Sequence, residues 1–227
     1  MVISSFTSII QRSIFAESRN NRPIFARDIL LSREVAREIK LKKKISPWID
    51  MGNYFKGAAW VMGNFEANVG NSADCVDKSS SLCFAVAAEN LNYLKKAGFS
   101  AVGVENNHSG DLEKWGRENT IKSLRNARIQ PLNFMNSTGF LRLGEYTVAF
   151  VTLSNVAGQD GKSIAIPSLA LRQKIRLARS LADFVVVFVH WGAELADWVQ
   201  PNQRQIQTVV YPWNGFGLSG FNCFFKA

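Results

Sequence analysis

The chain has 227 residues, 47% of them hydrophobic and 20% charged, with a formal net charge of +9. That balance is globular rather than disordered and is enough for one large α/β domain or, less simply, two small ones. The excess positive charge favours acidic partners such as phosphorylated substrates or polyanions. No zinc-finger spacing, RNP-like aromatic strand or Gly-Lys phosphate loop accompanies it, so no specific nucleic-acid recognition is expected.

The first 21 residues, with a short apolar stretch broken by Gln11 and Arg12, read as an amphipathic extension. They are too short and too broken for a membrane span and make a poor secretory signal, so the chain is read as soluble and, as written, cytoplasmic, with its localisation otherwise open. A strand-like run from Pro23 to Leu31 leads to a helical segment from Arg33 to Lys43, which Pro47 closes. Ala58 to Phe65 is an apolar run ending at Asn64 and Glu66, followed by a loop rich in Gly, Asn and Ser.

Ser81 to Ala97 has helical spacing, with Gly98 placed to stop it. The strand from Ser100 to Val104 then delivers His108, and Lys114 to Ala127 is again helical. FLRL and YTVAFVTLS, joined at Gly144-Glu145, form a hairpin signal. Helix Ser168 to Leu181 and strand Phe184 to Val189 finish another unit and deliver His190. Strands alternating with helices of this length imply βαβ units and a layered α/β fold around a mostly parallel core.

The basic residues of Lys40 to Lys44 and Arg172 to Arg179 read as solvated helix faces. The three cysteines, Cys75, Cys83 and Cys223, have neither metal-ligand nor CxxC spacing and read as free thiols.

The chain has only two histidines, and each ends an apolar run inside a polar motif: SAVGVENNHSGD and VVVFVHWGAE. Such strand ends open into the crevice where α/β sheets bind ligands, so both rings are assigned to one site. Asp28, Glu66, Asn107, His108 and His190 all fall at or just after strand ends, and imidazole, carboxylate and amide oxygen together suit a divalent transition metal. Metal-assisted hydrolysis is the reaction class implied. Plainer uses compete: either histidine as a satisfied structural residue, Asp28 and Asp111 as caps, Asn107 in a left-handed turn, Asn64 bonding nearby backbone, Glu194 as a solvated acid.

The segments FARDILLSREVAREI, MGNFEANVG, LKKAGFSAVGVENNHSGD with Thr120 and Leu124, and FVVVFVHWGAE with Pro201 and Gln203 resemble the CapA family of poly-γ-glutamate capsule biosynthesis proteins, in the calcineurin-like metallophosphatase superfamily. The resemblance covers roughly residues 22 to 208. It implies a metallophosphatase-like β-sandwich flanked by helices and two divalent ions (Mn, Fe or Zn). Asp28 would bind the first metal, Glu66 would lie between metals, and Asn107 and His190 would bind the second. His108 would be the general acid or a substrate-phosphate contact, oriented by Asp111, with Asn64, Asn106 and Glu194 near the substrate. The implied substrate is a phosphorylated or γ-glutamyl polymer, with other capsule synthesis proteins as partners, and the family is often at the cell envelope.

Two departures stand out. Arg27 occupies a position where the family usually has Gly, which puts a long cation beside Asp28. Where the family continues to a GHHPH block, this chain reads YPWNGFGLSGFNCFFKA. The expectation is a domain incomplete after residue 208, a divergent tail from 209 that is neither strand nor helix, an exposed sheet edge, and a metal site impaired by the missing imidazoles. The alternatives are a catalytically inactive remnant or a basic α/β protein that binds a polyanion.

Overall fold

In a computed structural model of the protein, residues 22–41, 46–76, 82–133, 139–156 and 168–191, together with the backbone of 224–226, are described. Strand β1 (Arg22–Ile29) leads into helix α1 (Arg33–Leu41), which has Glu34 in its first turn and Lys40 in its last, as the helix dipole favours. A short helix α2 (Gly52–Phe55) precedes β2 (Ala58–Phe65), whose last six residues are all buried. Burial that does not alternate marks a strand covered on both faces.

The next pieces are short: β3 (Asn68–Val69), β4 (Ala85–Val86) and α3 (Leu91–Ala97). Then come β5 (Phe99–Gly103), α4 (Glu113–Asn126) and β6 (Gln130–Leu132). β1, β2, β5 and β6 form one parallel sheet in the order β1-β2-β5-β6.

The hairpin appears as expected. β7 (Gly139–Leu143) and β8 (Tyr146–Ser154) pair antiparallel across a turn in which Gly144 takes φ +60°, a left-handed value open to glycine. Helix α5 (Leu169–Leu181), capped by the Ser168 side chain, crosses over to β9 (Phe184–Trp191), which is parallel to β8. The sheets pack face to face through Trp60, Met62, Ala101 and Leu132 on one side and Leu143, Val148, Phe150, Val186 and Phe188 on the other. The sheets approach closely at Gly103, where an added Cβ would sit 3.3 Å from the Phe188 ring.

Helices cover both outer faces. Ile39, Leu91, Leu94 and Leu124 pack on Ile29, Val61, Phe65 and Val102 of the first sheet. Leu171 and Ala178 of α5 pack on Ala149, Val151 and Val189 of the second, while its Arg172, Arg176 and Arg179 are exposed, which is the solvated face expected of them. The result is the layered α/β sandwich flanked by helices, and its mixed sheet places His190 opposite the carboxyl edge of the parallel one.

Three expectations need correction. The helix expected from Ser81 exists only as Leu91–Ala97, ending at Gly98 with φ +95°. Before it, the Phe84 carbonyl accepts from Asn68 N–H and β4 pairs with β3, so pairing to a distant segment overrides the helical spacing. Cys75 and Cys83 are not free thiols but form a disulfide across eight positions, a pairing that no spacing motif signals. Cys223 lies outside the described residues. Finally, the tail does supply a strand: β10 (Phe224–Lys226) pairs parallel with β9, Phe225 opposite His190, so over that stretch the β9 edge is covered. An unpaired edge recruits an extended aromatic segment readily.

Candidate functional site

The site forms where the carboxyl ends of β1, β2 and β5 meet the end of β9. A register shift between Phe25 and Asp28 bends β1 just before Asp28, the kind of bulge that re-aims a strand's last side chains, and Arg27 within it is exposed. Asp28 pairs in register with Asn64, whose Nδ2 donates to Asp28 Oδ1 at 2.9 Å and faces His190 Nδ1 at 3.1 Å. Asn106 Nδ2 donates to Asn64 Oδ1 (3.1 Å) and to the Phe65 carbonyl (2.9 Å), while its Oδ1 accepts from His108 N–H. Asn64 and Asn106 are 2% and 3% exposed, so the amides expected near substrate are committed to protein partners.

His190 is fully buried, and its other nitrogen, Nε2, lies 2.8 Å from Asn107 Oδ1 and 3.8 Å from Glu66 Oε1. Because Asn64 presents a donor to Nδ1, the ring hydrogen belongs on Nε2, where Asn107 Oδ1 accepts it. Asp28 Oδ1 sits 3.7 Å from Nδ1, on the opposite side of the ring from Asn107. Asn107 has no left-handed backbone, which removes the turn reading of that residue.

His108 stands nearer the surface, in the 3-10 turn Asn107–Gly110 after β5. Its Nδ1 meets Asp111 Oδ2 at 2.9 Å, and its Nε2 points towards the same Glu66 oxygen at 3.9 Å. Asp111 is completely buried and is not the N-cap of the following helix, a place taken by Leu112: Oδ2 also accepts from Phe84 N–H at 2.8 Å, and Oδ1 has no partner among the described residues. The Phe84 ring stacks on the imidazole, centroids 3.7 Å apart and planes 20° from parallel.

Of the residues expected from the sequence, Asp28, Asn64, Glu66, Asn106, Asn107, His108, Asp111 and His190 are thus brought together, and Glu194 lies outside the described residues. Among the described residues, no three His, Cys, Asp or Glu side chains are arranged to hold an ion by themselves. The convergent set includes an amide: His190 Nε2, Asn107 Oδ1 and Glu66 Oε1.

Several contributors carry no motif. Phe84 is one; Asn68, quoted only within a longer block, is another, its Nδ2 donating to the His108 carbonyl and its Oδ1 accepting from Leu112 N–H. Arg33 is a third: its guanidinium lies 5.7 Å over the Phe84 ring, and its backbone takes φ +54°.

A family model described as the bacterial capsule synthesis protein PGA_cap matches residues 24–211. The chain belongs to that family. Within it, this PGA_cap chain is 25% identical over 199 residues to the capsule biosynthesis protein CapA of Bacillus anthracis, an alignment that covers 79% of this chain and 48% of that protein. It is 24% identical over 198 residues to the PGA biosynthesis protein CapA of Bacillus subtilis, covering 81% and 51%. The chain spans about half the length of these curated relatives. A crystal structure described as a novel phosphatase from Mycoplasma pneumoniae superposes at TM-score 0.45 and 14% identity, over 74% of this chain and 54% of that one. No helix among the described residues is long and apolar enough to cross a membrane.

Proposed function

We propose that this PGA_cap protein is a metal-dependent hydrolase of capsule biosynthesis, built on a metallophosphatase-type site and acting on a phosphorylated or γ-glutamyl substrate. One observation carries the reading: His190 Nε2, Asn107 Oδ1 and Glu66 Oε1 converge from three strand ends, and His108 Nε2 faces the same Glu66 oxygen. Ligands about 2.0–2.2 Å from a shared cation lie roughly 3–4 Å from one another; the 3.8 Å from His190 Nε2 to Glu66 Oε1 falls in that range, and the 2.8 Å to Asn107 Oδ1 is a hydrogen bond that would lengthen slightly around an ion. A cation there would take the place of the hydrogen now shared by His190 and Asn107.

Asn107, Glu66 and His190 are the residues that would hold the ion, with Asp28, on the other side of the His190 ring, contributing to a neighbouring first-metal position. When bound, a divalent ion supplies Lewis acidity at the scissile centre. His108 would give its Nε2 proton to the leaving group, because Nδ1 is already engaged by Asp111. Asp111 holds the ring orientation from a fully buried position, which lets Nε2 keep facing the site.

The test is manganese-dependent hydrolysis of bis(p-nitrophenyl) phosphate and p-nitrophenyl phosphate, with γ-glutamyl oligomers alongside. Turnover that requires metal and vanishes in His190→Ala is expected. Salt-sensitive polyanion binding without turnover of any of these would favour a binding protein instead. Metal analysis of the same sample reads the stoichiometry: one ion fits the three-ligand set, and two fit the pair implied by the resemblance.

A further inference from the structure

We propose that the Cys75–Cys83 disulfide is a positioning strap for the His108 end of the site, which aligns that imidazole only while the bond is intact. The inference rests on the reading of His108 as proton donor. The bond joins the residues beside two anchor points. Next to Cys75, Val76 N–H donates to the Asp111 carbonyl at 3.0 Å; next to Cys83, Phe84 N–H donates to the Asp111 carboxylate at 2.8 Å. Asp111 is therefore gripped from both ends of the bridged segment, at its backbone and at its side chain. The same carboxylate oxygen holds His108 Nδ1, and the Phe84 ring covers one face of that imidazole.

Two features make the strap necessary. Asp111 Oδ2 serves two donors while, among the described residues, buried Oδ1 serves none, so if Phe84 withdraws the carboxylate is left with only the imidazole it is meant to orient. Phe84 to Val86 lie in a stretch of helical spacing that β pairing overrides, so the cross-link opposes a local preference. The deep end of the site needs none of this. His190 is held by Asn64 of β2 and by Asn107 at the start of the turn after β5.

Reduction by a dithiol such as dithiothreitol breaks the S–S bond. Two electrons from the reagent and two protons leave Cys75 and Cys83 as thiols, and the reagent becomes its cyclic disulfide. The strap is accordingly intact where thiols are kept oxidised.

The experiment compares the full chain oxidised, reduced and alkylated, and as the Cys75→Ser/Cys83→Ser double variant, by proton NMR of the histidine rings and by phosphodiester turnover with manganese. Because the chain has two histidines, each ring is read separately. Stacking on Phe84 should move the His108 ring protons upfield in the oxidised chain, and opening the bond should abolish that displacement and leave His190 unchanged. Turnover should fall by about 10–100-fold, the scale of an ångström's misplacement, with manganese affinity retained. Phe84→Leu, with the bond intact, should reproduce both effects. An unmoved His108 signal on reduction overturns the strap, and so does simultaneous collapse of both histidine signals, which would make the bond a general fold stabiliser. Absence of turnover in the oxidised wild type would defeat the hydrolase reading alone, because the ring signals still decide the strap.

Discussion

The two histidines end in the same crevice but are held there by opposite means. His190, the penultimate residue of β9, is buried and fixed by amides 126 and 83 positions away in sequence. His108 lies near the surface and is fixed by an acid three residues along the chain and a ring brought by a cross-linked loop. One is a product of sheet-on-sheet packing, the other of loop chemistry. The deep ring should therefore fail only when the fold or its own ligands fail, whereas the shallow ring can be detuned while the fold stands.

Substitutions separate these two behaviours. The largest effect is expected for His190→Ala: turnover falls to background and metal affinity drops ~10–100-fold or more, the scale seen when metal-site partners are removed. Isothermal titration with manganese beside the hydrolysis assay checks both at once. His108→Ala should lower kcat by about 10²–10⁴-fold, the usual contribution of general acid catalysis, and leave the titration unchanged. If metal affinity fell in parallel, His108 would belong to the deep set and the division would break.

Asp111→Asn is expected to be milder, ~10–100-fold in kcat, because it removes the charge but can still engage both donors. Its effect should disappear in a His108→Ala background, since it acts through that ring, and a double-mutant cycle on kcat measures this. A packing change probes the other half. Phe188→Ala, in the layer between the sheets, should cost about 3–5 kcal/mol of stability by chemical denaturation. At temperatures where the variant stays folded, it should weaken metal binding through His190 more than it disturbs the His108 ring signal.

The alternation of strands and helices was plain in the sequence because β2, β8 and β9 are long apolar runs and α4 and α5 are long periodic ones. The gathering of Asp28, Glu66, Asn107, His108 and His190 followed from their places at strand ends. What stayed hidden had no local signal. β3 and β4 are two residues each, and β6 is three residues with Pro131 in its middle. Such pieces exist because neighbours pair with them, not because of their own composition. The Cys75–Cys83 bond and the part played by Phe84 depend on contacts of both flanks with Asp111, far along the chain, and no spacing rule encodes them. Asn64 and Asn106 were recognisable as polar residues of the site, yet only the hydrogen-bond directions distinguish amides that face a ligand from amides spent inside the protein.

The central claim is that His190, with Asn107 and Glu66, shares a cation and that His108 stands beside it without binding. Nitrogen-15 NMR of the histidine-labelled protein during titration with zinc tests it most directly, because two rings give four nitrogen signals. The account predicts that His190 Nε2 moves to the position of a metal-bound nitrogen at stoichiometric zinc while both His108 nitrogens keep their places. Zinc that shifts His108 first, or leaves His190 Nε2 where it was, would contradict it.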